Sequence, residues 1–165
     1  DQMRDIATLI KAQCGLEIAA VDYGGWDHHI DVGPLDGQLG KRLADVSATI
    51  RAFTQDLGSE LMRNTLVLVM SEFGRTAKEN NNQGADHGHG GIMLLVGGKL
   101  SGGKVYGEWT GLEESKLYER RDLPVNTDFR LVFAEVLNGL FGYDGLSRNL
   151  FEAFKPQQEH LGFMA

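Results

Sequence analysis

The sequence has a single cysteine, Cys14, no long apolar run and no excess of basic charge. One cysteine excludes an intrachain disulfide framework and says little about compartment. No uninterrupted apolar stretch reaches the about 18 residues that a membrane-crossing helix needs, so no membrane span is expected. A formal charge of −7 argues against a general nucleic-acid binder, which presents a basic stripe to phosphates. Several catalytic signatures are also missing: no Gly-x-Ser-x-Gly elbow, no phosphate-binding P-loop, no Gly-x-Gly-x-x-Gly after the first apolar run, and no His-Glu-x-x-His. There is no internal repeat and no low-complexity tract.

What remains is ordinary for a globular chain. With 165 residues, 42% of them hydrophobic and 24% charged, it fits one α/β domain spanning 1–165 with a real core. It opens at Asp1 without a signal peptide of its own, which fits a processed product or the carboxyl-terminal portion of a longer protein, any export signal lying upstream.

Met3, Ile6, Ala7, Ile10 and Cys14 recur at helical spacing and predict a helix over 2–14 that stops at Gly15, with Cys14 on its apolar face. The apolar run 16–23 reads as a buried strand. Leu39, Leu43, Val46, Ile50, Phe53 and Leu57 mark one face of a long helix over 38–57, capped by Gly58. Residues 64–71 and 92–96 are continuous apolar runs of the kind buried on both faces of a parallel sheet. A short edge strand is expected over 105–109, the stretch 112–123 is ambiguous, and Thr127 is a candidate cap for a helix from Asp128. One further short helix is expected in the tail from Gly142. The order of these elements predicts an α/β layer protein whose ligand site gathers at strand ends.

Three clusters lie at such ends. Trp26-Asp27-His28-His29 follows the first apolar run, and a carboxylate beside imidazoles suits a divalent ion such as zinc, manganese or iron. Its plain alternative is an Asp capping a turn beside solvated histidines. Glu72 and Arg75 follow the run 64–71. Glu72 is a candidate metal ligand or general base and Arg75 a clamp for an anionic oxygen, the alternative being an ion pair that fixes the turn. Asp86-His87-Gly88-His89 is the densest group; two histidines at i and i+2 beside an acid resemble a metal site more than a packing motif, the alternative being an exposed glycine-rich loop with incidental histidines. Four of the five histidines fall in two loops beside apolar runs, whereas chance would scatter them; His160 reads as a surface residue.

These residues resemble a known family. Gly25-Trp26-Asp27-His28-His29, Ser71-Glu72-Phe73-Gly74-Arg75-Thr76, Asp86-His87-Gly88, the pairs Gly97-Gly98 and Gly102-Gly103, and Asn126-Thr127-Asp128-Phe129-Arg130 occur in the order seen in the carboxyl-terminal part of domain-of-unknown-function family 1501. That family is grouped with the alkaline phosphatase and sulfatase superfamily, and its members commonly carry a twin-arginine export signal. The resemblance therefore implies a three-layer α/β/α fold with a mostly parallel sheet, a periplasmic or exported parent, and a metal-centred site for a small phosphate or sulfate ester.

Carried over residue by residue, the resemblance implies that Asp27 and His29 are metal ligands. Glu72 stands where the superfamily has the acid of an Asp-His pair, and Phe73 stands in place of its histidine. His87 or His89 would supply the last imidazole, with Asp86 compensating for Phe73; the other alignment makes Asp86-His87 the pair. One divalent metal is expected, zinc first, with manganese, magnesium or calcium as alternatives. Arg75 would position the anionic ester. Nothing before Asp27 matches the superfamily's attacking group, so the competing expectation is a non-enzymatic module that binds an anionic ligand or a partner protein.

Overall fold

The computed structural model describes residues 2–144, 150–152, 154–155 and 160–165. Helix α1 (Gln2–Lys11) and helix α2 (Gln38–Met62) form one packing unit. Met3, Ile6, Ala7 and Ile10 of α1 meet Phe53, Leu57, Leu61 and Met62 of α2 in a core cluster. The helical period of the first apolar stripe thus has a partner, but only in the second half of α2. Leu39 and Leu43, expected on the same buried face, are exposed.

Gly58 sits where the helix was expected to stop, and its φ of 67° and ψ of 172° break the helical path before a last turn resumes to Met62. Glycine takes this left-handed φ without the Cβ penalty other residues bear. At the other end of the first helix, α1 stops at Lys11, and Cys14 lies exposed beyond it instead of in the core.

Strand β1 (Leu66–Val69) pairs antiparallel with β4 (Leu94–Gly97), in the register Leu66 to Gly97 and Val69 to Leu94. Strand β2 (Gly74–Arg75) pairs antiparallel with β3 (His87–Gly88). The α and β character is mixed, as expected, but among the described residues no parallel pair forms: both strand pairs are antiparallel, and neither a mostly parallel sheet nor a three-layer arrangement is seen there. The apolar continuity of β1 has another cause. Successive side chains of a strand point to opposite faces. Val67 packs on the α1–α2 cluster, while Leu66 and Leu68 pack with Met93, Leu95, Val132, Val136 and Phe163 in a second cluster. Apolar packing on both faces of a partly buried strand, with no parallel partner, accounts for the aliphatic run.

Two other expected strands do not form. Residues 16–23 lie outside any strand, and Ile18 is 73% exposed, because no described strand pairs with them. Residues 105–109 are also irregular, with Val105 exposed and Gly107 at φ 109°; only Tyr106 turns inward, its hydroxyl donating to the Ser101 carbonyl at 2.8 Å. Residues Glu114–Lys116 form a 3-10 turn. The tail helix expected from Gly142 falls partly outside the described residues.

Helix α3 (Phe129–Phe141) is capped by Asp128, not by Thr127: the Asp128 carboxylate accepts from the Arg130 backbone N–H at 2.9 Å. An aspartate in this position satisfies an amide that the first helical turn leaves orphaned. Gly142 ends the helix in the left-handed conformation. Among the described residues no helix is long and apolar enough to cross a membrane.

Glu135, a charged residue within the apolar stripe of α3, is only 5% exposed. Its Oε2 accepts from the backbone amides of Leu161 and Gly162 at 2.6 and 3.1 Å, and its Oε1 from Phe163 and Met164 at 2.7 and 3.0 Å. The same segment bonds along the chain after β4, through Ser101 N–H to the Phe163 carbonyl and Ala165 N–H to the Lys99 carbonyl, each 2.8 Å. A carboxylate buried this way is tolerated because donors reach both its oxygens. Glu135→Ala should cost about 2–3 kcal/mol and strip protection from the amides of residues 161–164. Chemical denaturation and hydrogen exchange check both, and unchanged exchange in that segment would contradict the anchoring role.

Candidate functional site

The site grows from two loops laid side by side. In the first, the Trp26 indole N–H donates to the Tyr23 carbonyl at 2.5 Å and the His28 amide to the Trp26 carbonyl at 3.0 Å. This turn sends Asp27 and His29 to one side, while His28 keeps a buried Nε2 with no hydrogen-bond partner among the described residues. The second loop runs from β2 to β3. Its residues 82–85 bond along 28–32, through Ala85 N–H to the His28 carbonyl at 3.1 Å, Asp31 N–H to Asn82 at 2.9 Å and Val32 N–H to Gln83 at 2.8 Å. Gly84 lies so close that a Cβ on it would stand 2.1 Å from the His29 carbonyl oxygen, so only glycine permits this approach.

The β2–β3 pair sets Arg75 opposite His87. The Arg75 guanidinium then spans the two loops. Its Nη1 donates to the Ala85 carbonyl at 2.7 Å, and its Nη2 to the Trp26 carbonyl at 3.2 Å and to Asp27 Oδ1 at 2.5 Å. Asp27 Oδ1 also lies 2.9 Å from His29 Nε2 and 3.1 Å from His87 Nε2. The two imidazole nitrogens are themselves 3.1 Å apart. Asp27, His29 and His87 therefore bring one oxygen and two nitrogens to a common point, and all three side chains are partly open to solvent.

This donor set fits a divalent metal. Ligand atoms about 2.0–2.2 Å from zinc stand about 2.8–3.1 Å apart at octahedral right angles and about 3.3–3.6 Å apart in a tetrahedron. The three separations here, 2.9, 3.1 and 3.1 Å, match the octahedral spacing and are tighter than the tetrahedral one. Two imidazoles and a carboxylate suit zinc, manganese or iron better than an all-oxygen cation such as calcium. An ion held by three side chains would keep a further position open for water or another ligand.

The other expected site residues lie elsewhere. Glu72, in the loop after β1, is exposed and outside the cluster, with no hydrogen bond or ion pair among the described residues. His89 stacks on Tyr118, ring centroids 4.2 Å apart and planes within 10°. Asp86 does not join the three-atom convergence; its Oδ1 contacts His29 Nδ1 at 3.0 Å, the far side of the ring from Nε2. Phe73, standing where a histidine was sought, lays its ring on His87 at 4.1 Å between centroids. A residue not anticipated from the sequence, Asn80, closes the second loop: its Nδ2 donates to the His29 carbonyl and to Asp86 Oδ1, both at 2.9 Å. The run Asn80-Asn81-Asn82-Gln83-Gly84 carries turn chemistry that signals such a loop, though not its target.

The sequence profile of the family described as "Protein of unknown function (DUF1501)" matches residues 3–154. The chain belongs to the DUF1501 family. No curated protein and no solved structure matches it. In this DUF1501 chain the residues that converge, Asp27, His29 and His87, come from two of the motifs that carry the resemblance, and Arg75 from a third.

The electrostatics follow from the same contacts. The hydrogen bond from Arg75, then that from His87, lowers the Asp27 carboxyl to about 2. The bond from His29, then that from Asn80, lowers Asp86 as well. Because the folded value of Asp27 lies below an unfolded value of about 3.9, its contribution to stability is complete above that pH and fades as pH falls toward the folded value. A carbon-detected NMR titration of Asp27 should show a midpoint near 2 that rises toward the unperturbed value in Arg75→Gln. An Asp27 midpoint unmoved by that substitution would contradict the assigned cause.

Proposed function

We propose that the chain carries the metal-binding part of a metal-dependent hydrolase for small phosphate or sulfate esters. The observation that supports it most is the meeting of Asp27 Oδ1, His29 Nε2 and His87 Nε2 within 3.1 Å of one another at a solvent-accessible point. These three residues would hold the ion, zinc first, with manganese next and magnesium or calcium less suited to two imidazoles. When bound, a divalent ion polarises an ester oxygen or lowers the pKa of a water, worth several kcal/mol in round terms. Asp27 keeps negative charge at the point of convergence at neutral pH. Arg75 adds a positive charge beside it, but spends donors on Ala85, Trp26 and Asp27, so it orders the loops before it can clamp an ester. Glu72 remains a candidate base only if its loop turns toward the cluster.

The wider reading is an exported or periplasmic parent with an alkaline-phosphatase-like α/β/α fold, of which this chain is the carboxyl-terminal portion. Its support is the motif resemblance, together with the packing of Val67 toward α1 and α2 and of Leu66 and Leu68 toward α3. A second reading, a non-enzymatic module for an anionic ligand or partner protein, draws on two observations: Glu72 lies outside the cluster, and the Arg75 donors are engaged by protein.

Protein purified without chelator should contain about one divalent ion per chain by elemental analysis. Alanine at His29 or His87 should release it, while His89→Ala should retain it, because His89 is stacked on Tyr118. Nitrophenyl phosphate and sulfate assays on the parent protein separate the two readings: turnover lost with His87→Ala supports the hydrolase, and metal without turnover supports the binding module. Metal-free protein without activity would overturn the hydrolase reading.

A further inference from the structure

We propose that Asn80 and Asp86 are positioning residues that fix the tautomer of His29 and so present its Nε2 as a ligand, with Asp86 acting from outside the ligand set. The inference rests on the metal reading for its purpose but on metal-free geometry for its content. A carboxylate only accepts, so the 3.0 Å contact between Asp86 Oδ1 and His29 Nδ1 requires Nδ1 to carry a proton. A neutral imidazole has a single N–H. Its Nε2 then bears a lone pair that accepts from His87 Nε2 at 3.1 Å, while Asp27 Oδ1, 2.9 Å from the same Nε2, takes its protons from Arg75 and His87 instead.

Asn80 secures both ends of this arrangement. Its Oδ1 accepts from the backbone amides of Asn82 and Gly84 at 2.9 and 3.0 Å, which fixes which way the side-chain amide is turned. Its Nδ2 must then face the other way, where it donates to Asp86 Oδ1 and to the His29 carbonyl. One side chain thus holds the carboxylate that selects the tautomer and the main chain that carries the ring. The His29 Nε2 lone pair and Asp27 Oδ1 lie 2.9 Å apart, both within reach of the His87 Nε2–H, and a cation would take the place of that proton. Partners of this kind on the far nitrogen of a ligating histidine orient the ring and raise its basicity.

The test reads the tautomer directly, by long-range proton–nitrogen NMR of the metal-free protein at a pH where the ring is neutral. Wild type should show His29 protonated at Nδ1 and bare at Nε2. Asn80→Ala and Asp86→Ala should shift the ring toward the Nε2–H form and raise the zinc dissociation constant about 10–100-fold. Asp86→Asn, whose amide oxygen can still accept from Nδ1–H, should keep the tautomer and lose less affinity. A wild-type ring protonated mainly at Nε2 would overturn the proposal without any variant. So would an Asp86→Ala protein, folded by circular dichroism, with tautomer and zinc affinity unchanged. Wild type with the expected tautomer but no zinc uptake would support this inference while sinking the metal reading.

Discussion

One carboxylate oxygen, Asp27 Oδ1, governs the site. Arg75 donates to it, and both His29 Nε2 and His87 Nε2 crowd onto it. Two loops far apart in sequence are brought into one place by that convergence, and the guanidinium pins it by reaching the Trp26 and Ala85 carbonyls as well. The arrangement concentrates one negative oxygen and two nitrogen atoms in a space of ligand dimensions. Arg75 offsets the Asp27 charge and would compete with a bound cation for the same oxygen.

Rigidity comes from features that are not chemical actors. Gly84 lets the second loop touch the His29 main chain, and backbone bonds between 28–32 and 82–85 hold the loops edge to edge. The β2–β3 pair is only two residues long on each side, yet it sets Arg75 across from His87. Behind it, the Thr76–Asp122 bridge and the amide of Ala77 bonding to the Arg121 carbonyl at 3.1 Å brace the same strand. Asp122 is 2% exposed and takes two bonds from the Arg121 guanidinium, so this brace includes a satisfied buried charge.

Much of this was legible in the residues, and the failures have physical causes. Periodicity revealed α1, α2 and α3 because an amphipathic stripe is a local property. The clustering of Asp27, His29 and His87 beside apolar runs was legible for a similar reason: metal-ligand types are rare enough that their crowding carries information. Strand direction was not legible, since an apolar run reports burial on two faces and β1 achieves that within an antiparallel pair. Residues 16–23 have strand composition but no described strand beside them, and a pairing partner is a non-local fact. The choice between His87 and His89 turned on where β3 ends; past Gly88 the chain leaves the pair and His89 meets Tyr118. Asn80 was missed because a turn residue's target lies across space, in this case the His29 carbonyl.

The central claim is that Asp27, His29 and His87 form a single metal site. Anomalous diffraction from crystals grown with zinc or manganese tests it most directly. The account predicts one strong peak about 2.0–2.2 Å from Asp27 Oδ1, His29 Nε2 and His87 Nε2 together. A peak at His89 or Glu72 instead, or no peak at the three-atom convergence, would contradict it.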